Sequence, residues 1–170
     1  SYINDYNKNA SFGLCHGTRR GVEQLEFMKL FSMIGSEVEV LGTEINPDVA
    51  NKTKNTIEWD FSKVKDEWIN NVDFIYSNSF DHCYDAKKCF NTWMTCLNKN
   101  GLCFIEWCKH DGPECSRPGD PFGATYDEYE QMFNENHEVI DVLKNDPSKD
   151  NSWGKHTTLQ RFYFVIRNKK

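Results

Sequence analysis

Long apolar runs are missing from this chain. None approaches the length that crosses a bilayer, so no membrane span is expected. No Cys-X-X-Cys pair occurs among the seven cysteines, which removes the usual zinc knot. Their number is odd, and Cys15, Cys103 and Cys108 lie in or beside apolar strand-like runs, where a thiol is ordinary core material. A reducing, cytoplasmic setting is therefore expected rather than a disulfide-stapled secreted scaffold. A Gly-X-Ser-X-Gly elbow, a phosphate-binding P-loop and a His-Glu-X-X-His pair are absent too, which excludes three common hydrolase chemistries. Positive charge is in short supply: 20 Lys and Arg face 26 Asp and Glu, a formal balance of −6 that disfavours a nucleic-acid partner. There is no internal repeat and no low-complexity tract. The chain begins at Ser1 rather than at a methionine, so the missing signal sequence excludes little, and flanking domains in a longer chain remain admissible.

What is present suits one domain spanning residues 1–170 with a real core, rich in aromatic side chains. Residues 1–10 read as a polar lead-in. Apolar runs at 11–16, 37–45, 56–59, 72–77 and 102–107 predict strands, the last after an Asn100-Gly101 turn. The spacing of Val22, Leu25, Met28, Leu30 and Phe31 predicts an amphipathic helix over 19–33, which Gly35 would end. Pro47 suits a first helical position; short helical character follows at 62–69, and longer helices at 85–97 and 126–133. Two strands, 137–143 and 158–166, come last. Residues 109–123 are Gly- and Pro-rich without periodicity, and residues 144–157 are polar; both are expected to be rim loops of an active site. This α/β alternation, closed by two successive strands, predicts a mostly parallel sheet between helical layers with an antiparallel pair at its end.

Two signals point to a nucleotide-type ligand. The first strand opens into Cys15-His16-Gly17-Thr18-Arg19-Arg20-Gly21, and the second ends on Glu44-Ile45. Glycine lets backbone approach a ligand, and an acid at a strand's carboxyl end can hold sugar hydroxyls. Gly17 and Gly21 do not reproduce the Gly-X-Gly-X-X-Gly spacing of nicotinamide sites. This arrangement resembles the class I S-adenosylmethionine-dependent methyltransferases, over residues 11–167. The resemblance implies a Rossmann-like, seven-stranded sheet in the order 3-2-1-4-5-7-6, helices on both faces and the last strand antiparallel. It also implies that S-adenosyl-L-methionine is the cofactor. Its methionine part would be wrapped by Cys15, His16, Gly17, Thr18, Arg19 and Gly21. Glu44, beside Ile45, would bind the ribose, and Asp60, beside Phe61, the adenine amino group. Asn78 and Ser79, with Phe80, Asp81 and His82, would face the sulfonium and the methyl acceptor. The acid that the family usually carries in strand one is missing here, so the amino-acid portion would lean on backbone groups, Thr18 and an arginine.

Each residue also has a plainer reading. Gly17 can be a turn glycine, Glu44 a surface acid, and Asp60 a cap on the following helix. Trp59 or Phe61 can stack on a base or fill the core. Asp81 and His82 are the candidate catalytic pair, imidazole removing a proton from a hydroxyl acceptor and carboxylate orienting it, unless they only tie down their loop. Glu106 is the third candidate catalytic residue: an acid in so apolar a run must reach the rim or find a partner. A metal on Asp81, His82 and Glu106, or a zinc on His82, Cys83 and Cys108, is disfavoured, and no metal is expected. His156 and Trp153 stand where they could close over an acceptor. The expected activity is methyl transfer to an oxygen, and second to that a nitrogen, of a small molecule or glycan. The alternatives are a methyltransferase domain of a larger protein acting on nucleic acid or protein, and a non-catalytic regulatory module.

Overall fold

The computed structural model describes residues 10–146 and 159–169. Seven strands form one sheet: β1 (Phe12–His16), β2 (Glu39–Glu44), β3 (Thr56–Glu58), β4 (Val72–Ser77), β5 (Leu97–Cys108), β6 (His137–Lys144) and β7 (Arg161–Asn168). Their order is β3-β2-β1-β4-β5-β7-β6, as expected. The first five pair in parallel, and β7 runs antiparallel to both its neighbours.

Alternation along the central strands sends side chains to two cores. Leu14, Ile75, Cys103 and Phe164 face one side, where helix α3 (Ala86–Cys96) brings Phe90, Trp93 and Met94 and helix α4 (Tyr126–Asn136) brings Tyr129 and Phe133. Cys15, Val40, Phe74 and Phe104 face the other, where helix α1 (Val22–Met33) brings Phe31. Fully burying each such side chain contributes about 1.5–3 kcal/mol. Gly13 in β1 has a specific cause: a Cβ there would lie 2.2 Å from Phe74 Cζ, so glycine makes room for the ring. Asp73 ties the sheet's lower edge together, accepting from the amides of Ser11 and Phe12 and from Asn98 Nδ2. Asn46 caps the short helix α2 (Pro47–Ala50), Asp85 caps α3, and Thr125 with Glu128 forms a capping box on α4. All seven cysteines are free thiols, six of them buried. Among the described residues no helix is long and apolar enough to cross a membrane.

The structure departs from the sequence expectations in local detail. α1 starts at Val22 rather than at 19, because Arg19 (φ 31°) and Gly21 (φ 68°) take left-handed turns ahead of it. Its buried face is also different: Gln24 is 0% exposed and Phe31 3%, whereas Val22, Leu25 and Leu30 are 52%, 44% and 54% exposed. The predicted helix over 62–69 is a single 3₁₀ turn, Asp66–Trp68, anchored by buried Trp68. β5 begins at Leu97, five residues before the expected start. Leu97 pairs with Val72 and Leu102 with Phe74, so the intervening residues bulge out. Asn98 is held there by Asp73, and Gly101 passes so close that a Cβ would meet Val72 O at 2.8 Å. The rim 109–123 carries two 3₁₀ turns, Lys109–Asp111 and Pro113–Cys115, and an Arg117–Asp120 bridge. The predicted rim over 144–157, with Trp153 and His156, lies almost wholly outside the described residues, as does the lead-in.

Candidate active site

The sheet order reverses at β1, which lies between β2 and β4. The carboxyl ends of the strands at such a switch point are the place where open α/β sheets bind ligands. Register brings the ends level: His16 pairs with Thr43 and Ser77, and Glu44 with Glu58. Gly17, Glu44, Asn78 and the segment after β3 therefore lie together at the carboxyl edge of the sheet, where a cleft at this switch point would open.

The loop after β1 is built from backbone. The amides of Gly17 and Thr18 both donate to Thr43 O, at 3.0 and 3.1 Å. Gly17 has φ +72°, and a Cβ on it would meet Ser79 Cβ at 2.6 Å, so only glycine lets this loop sit against the segment after β4. Ser77 Oγ donates to His16 O and Ser79 Oγ to Gly17 O, which sews the two loops together. Among the described residues no side chain caps α1 at Gly21, which leaves the first helical amides available to an anionic group.

His16 does not turn its ring into the cleft. The side chain is buried, its Nδ1 lies 2.9 Å from Thr43 Oγ1, and its ring packs 4.7 Å from that of Trp93. Burial pushes the imidazole down to about 3, so it stays neutral. Cys15 likewise points into the α1 core, and burial, with the Glu23 charge second, raises its thiol. These two residues can serve a ligand only through backbone. Thr18 is buried, and Arg19 is exposed on the loop's outer side.

Glu44 ends β2 half-buried; its Oε1 accepts from the Asn46 amide at 2.9 Å, and among the described residues Oε2 has no partner. Ile45 beside it is 69% exposed, a bare apolar surface at the cleft. Asp60 closes a local turn, accepting from the amide and hydroxyl of Ser62, with Lys63 Nζ at 3.4 Å. Partial burial works against its charge, but those hydrogen bonds and the lysine outweigh it and hold the carboxyl below its ordinary value. Phe61 packs against the rings of His16 and Trp93, and its carbonyl accepts from Trp93 Nε1 at 2.8 Å. It lies next to Gly17, so it fills core and borders the cleft at once.

Asp81 and His82 sit in a 3₁₀ turn, Phe80–His82, just beyond Asn78 and Ser79. His82 Nε2 is 3.8 Å from Asp81 Oδ1, and its Nδ1 is 3.5 Å from Asp120 Oδ1. The ring is half exposed and flanked by two carboxylates. Burial pushes Asp81 up to about 6, against the His82 charge and with help from Asp111 and Asp120. The Phe122 amide donates to Asp81 O, so the rim 109–123 is fastened to this turn. The ligand atoms of Asp81, His82 and Asp120 lie within 4.8 Å of one another, close enough for a cation, but Arg117 already pairs with Asp120.

Glu106 stands elsewhere. It projects from β5 on the α1 side of the sheet, where Arg161 Nε is 2.9 Å from its Oε1 and Tyr76 Oη donates to its Oε2 at 3.2 Å. The apolar run tolerates this acid because it is paired, and the second carboxylate beside His82 is that of Asp120. Sequence reasoning missed Asp120; its only signal was membership of an aperiodic Gly- and Pro-rich loop. It missed Glu23 and Gln24 as well, because both sit in a helix whose pattern read as ordinary amphipathicity.

No protein-family profile and no curated protein matches the chain. Solved structures match its fold over nearly its whole length. The trans-methyltransferase CalH in complex with S-adenosylhomocysteine gives a TM-score of 0.71 at 15% identity, covering 99% of this chain and 55% of CalH. The Burkholderia thailandensis 1,6-didemethyltoxoflavin-N1-methyltransferase, with 1,6-didemethyltoxoflavin and S-adenosylhomocysteine bound, gives 0.69 at 11% identity, covering 99% and 76%. The CMeT domain of the citrinin polyketide synthase gives 0.65 at 10% identity, covering 95% of this chain and 47% of that one. The chain thus shares a methyltransferase fold and spans about half the length of two of these neighbours.

Proposed function

We propose that the chain transfers a methyl group from S-adenosyl-L-methionine to an oxygen of a small-molecule acceptor. The observation that carries this reading is that Gly17, Glu44 and Asn78 directly follow or end β1, β2 and β4, whose carboxyl ends the register brings level. The residues there fit the cofactor. Glu44 offers an acceptor to a ribose diol, and Ile45 an apolar surface beside it. Asp60, held ionised, suits the adenine amino group. Gly17 keeps the first loop without a side chain beside Ser79, so the methionine end would lie against its bare backbone, near Thr18 and Asn78.

Bound S-adenosylmethionine supplies an electrophilic methyl on a sulfonium. Asn78 and Ser79 border the place where the acceptor would meet it, and His82 lies at the next turn. Its imidazole takes the hydroxyl proton, while the Asp81 and Asp120 carboxylates on either side stabilise the imidazolium that results. A base so placed favours an oxygen acceptor over an amine, which at neutral pH can be nucleophilic without one. The fold likeness to the 1,6-didemethyltoxoflavin-N1-methyltransferase, whose acceptor is a small molecule methylated on nitrogen, supports a small acceptor and keeps nitrogen as the second choice of atom. The partial coverage of two neighbours leaves room for a domain of a longer protein.

Calorimetry tests this on the wild-type chain and Glu44→Ala with S-adenosylmethionine, S-adenosylhomocysteine and NAD. The first two are expected to bind wild type and to be lost in the variant. Binding of NAD alone would overturn the reading.

A further inference from the structure

The methionine end of the cofactor is a zwitterion, and its α-ammonium needs an acceptor, best a charged one, once water is displaced. β1, read as Phe12-Gly13-Leu14-Cys15-His16, contributes no acid to meet it. We infer that Glu23, in the first turn of α1, supplies that carboxylate. This inference rests on the cofactor reading above.

Glu23 reaches both walls of the cleft. Its Oε2 lies 2.9 Å from Thr18 Oγ1 on the first loop, and its Oε1 accepts from Asn78 Nδ2, 55 residues away after β4, at 3.2 Å. These are the two segments near which the methionine end is placed. Among the described residues the half-buried carboxylate is also short of a proton donor on Oε2, where Thr18 Oγ1 is its one neighbouring hydroxyl. Thr18 Oγ1 carries one hydrogen, yet it has two acceptors within reach, Glu23 Oε2 and Gln24 Oε1, the latter at 2.5 Å. Gln24 is buried, and its amide nitrogen donates to Thr56 Oγ1 and Asn55 O, so its oxygen must face Thr18. A buried acceptor has no water to turn to, and the Thr18 proton therefore goes to Gln24. Glu23 Oε2 is left beside a hydroxyl that cannot donate to it. An ammonium in the cleft, with three protons to give, completes this arrangement.

Gln24 has its own part as a positioning residue. It holds Thr18 against the β2–β3 side, and a Cβ on Gly42 would strike its Nε2 at 2.3 Å, so the node is tightly built. The uncapped amides at the start of α1 are then free for the α-carboxylate of the same zwitterion.

The test is calorimetry with S-adenosylhomocysteine and its des-amino analogue, in which hydrogen replaces the amino group, on wild type and Glu23→Gln. The amide is isosteric and still accepts from Asn78, so the fold is not at stake. Glu23→Gln is expected to weaken S-adenosylhomocysteine roughly 10- to 100-fold, as for a lost charge-assisted hydrogen bond, and to leave the des-amino analogue unchanged. Equal losses for both ligands, or none for either, would overturn the assignment. If wild type bound neither, the cofactor reading itself would fall, and this one with it.

Discussion

Acidification probes the inner wall of the cleft through His16. This imidazole is buried against Trp93 and is lowered from an ordinary 6.5 to about 3. Below pH 6.5 the unfolded chain takes up a proton there that the folded chain refuses until about pH 3, so His16 contributes its full stability above 6.5 and loses it on the way down. Asp81 acts in the opposite sense. Its carboxyl is raised from 3.8 to about 6, so the folded chain holds a proton that the unfolded one has lost, and between those values it offsets His16. The wild-type curve alone therefore understates the effect, and comparison with His16→Phe isolates it. The variant keeps the ring stack and loses the Thr43 contact, a cost of about 1 kcal/mol that does not vary with pH. Each pH unit below 6.5 should then favour the variant by about 1.4 kcal/mol, or about 2 kcal/mol at pH 5.0 relative to pH 7.5. Urea titrations of both proteins at the two pH values measure this. A stability difference that stays the same at both would refute the reasoning, because it would mean that the ring titrates in the folded state as it does in water.

Other outcomes follow from the same geometry. Glu106→Gln removes the carboxylate charge that faces the buried Arg161 guanidinium and should cost about 3 kcal/mol, a fall in Tm of roughly 6–12 °C for a chain of this size. An unchanged Tm with lost turnover would return Glu106 to the reaction. His82→Ala should lower turnover roughly 100-fold with S-adenosylhomocysteine affinity intact; unchanged turnover would remove His82 as the base. The rate should rise with pH through about 6 as Asp81 ionises beside His82, and Asp81→Asn should remove that contribution and leave a limb of altered position set by His82 alone; a profile identical in the variant would separate Asp81 from the chemistry.

Alternation and the buried runs at 72–77 and 102–107 made a mostly parallel sheet with an antiparallel end legible in the sequence. The strand order came with the methyltransferase resemblance and not from the pattern itself. The site's place followed from that order, since Gly17 and Glu44 end adjacent strands. What escaped was settled by single polar contacts that periodicity does not encode. Gln24 is buried because it bonds Thr18, Thr56 and Asn55, and that rotates α1 so that Val22 and Leu25 face outward. Asn98 bonds Asp73, which lets β5 start before the Asn100-Gly101 pair that read as a turn. That Glu106 must reach the rim or be paired was legible, but its partner Arg161, 55 residues later, was not. His16 sits in the first loop's sequence, yet strand alternation sends its ring inward onto Trp93.

A structure of the chain with S-adenosylhomocysteine bound measures the central claim most directly. The ribose hydroxyls should lie within hydrogen-bonding distance of the Glu44 carboxylate, with adenine beside Asp60 and Phe61. A ligand seated elsewhere, or a saturated crystal whose cleft at the end of β2 holds no nucleoside, would contradict it.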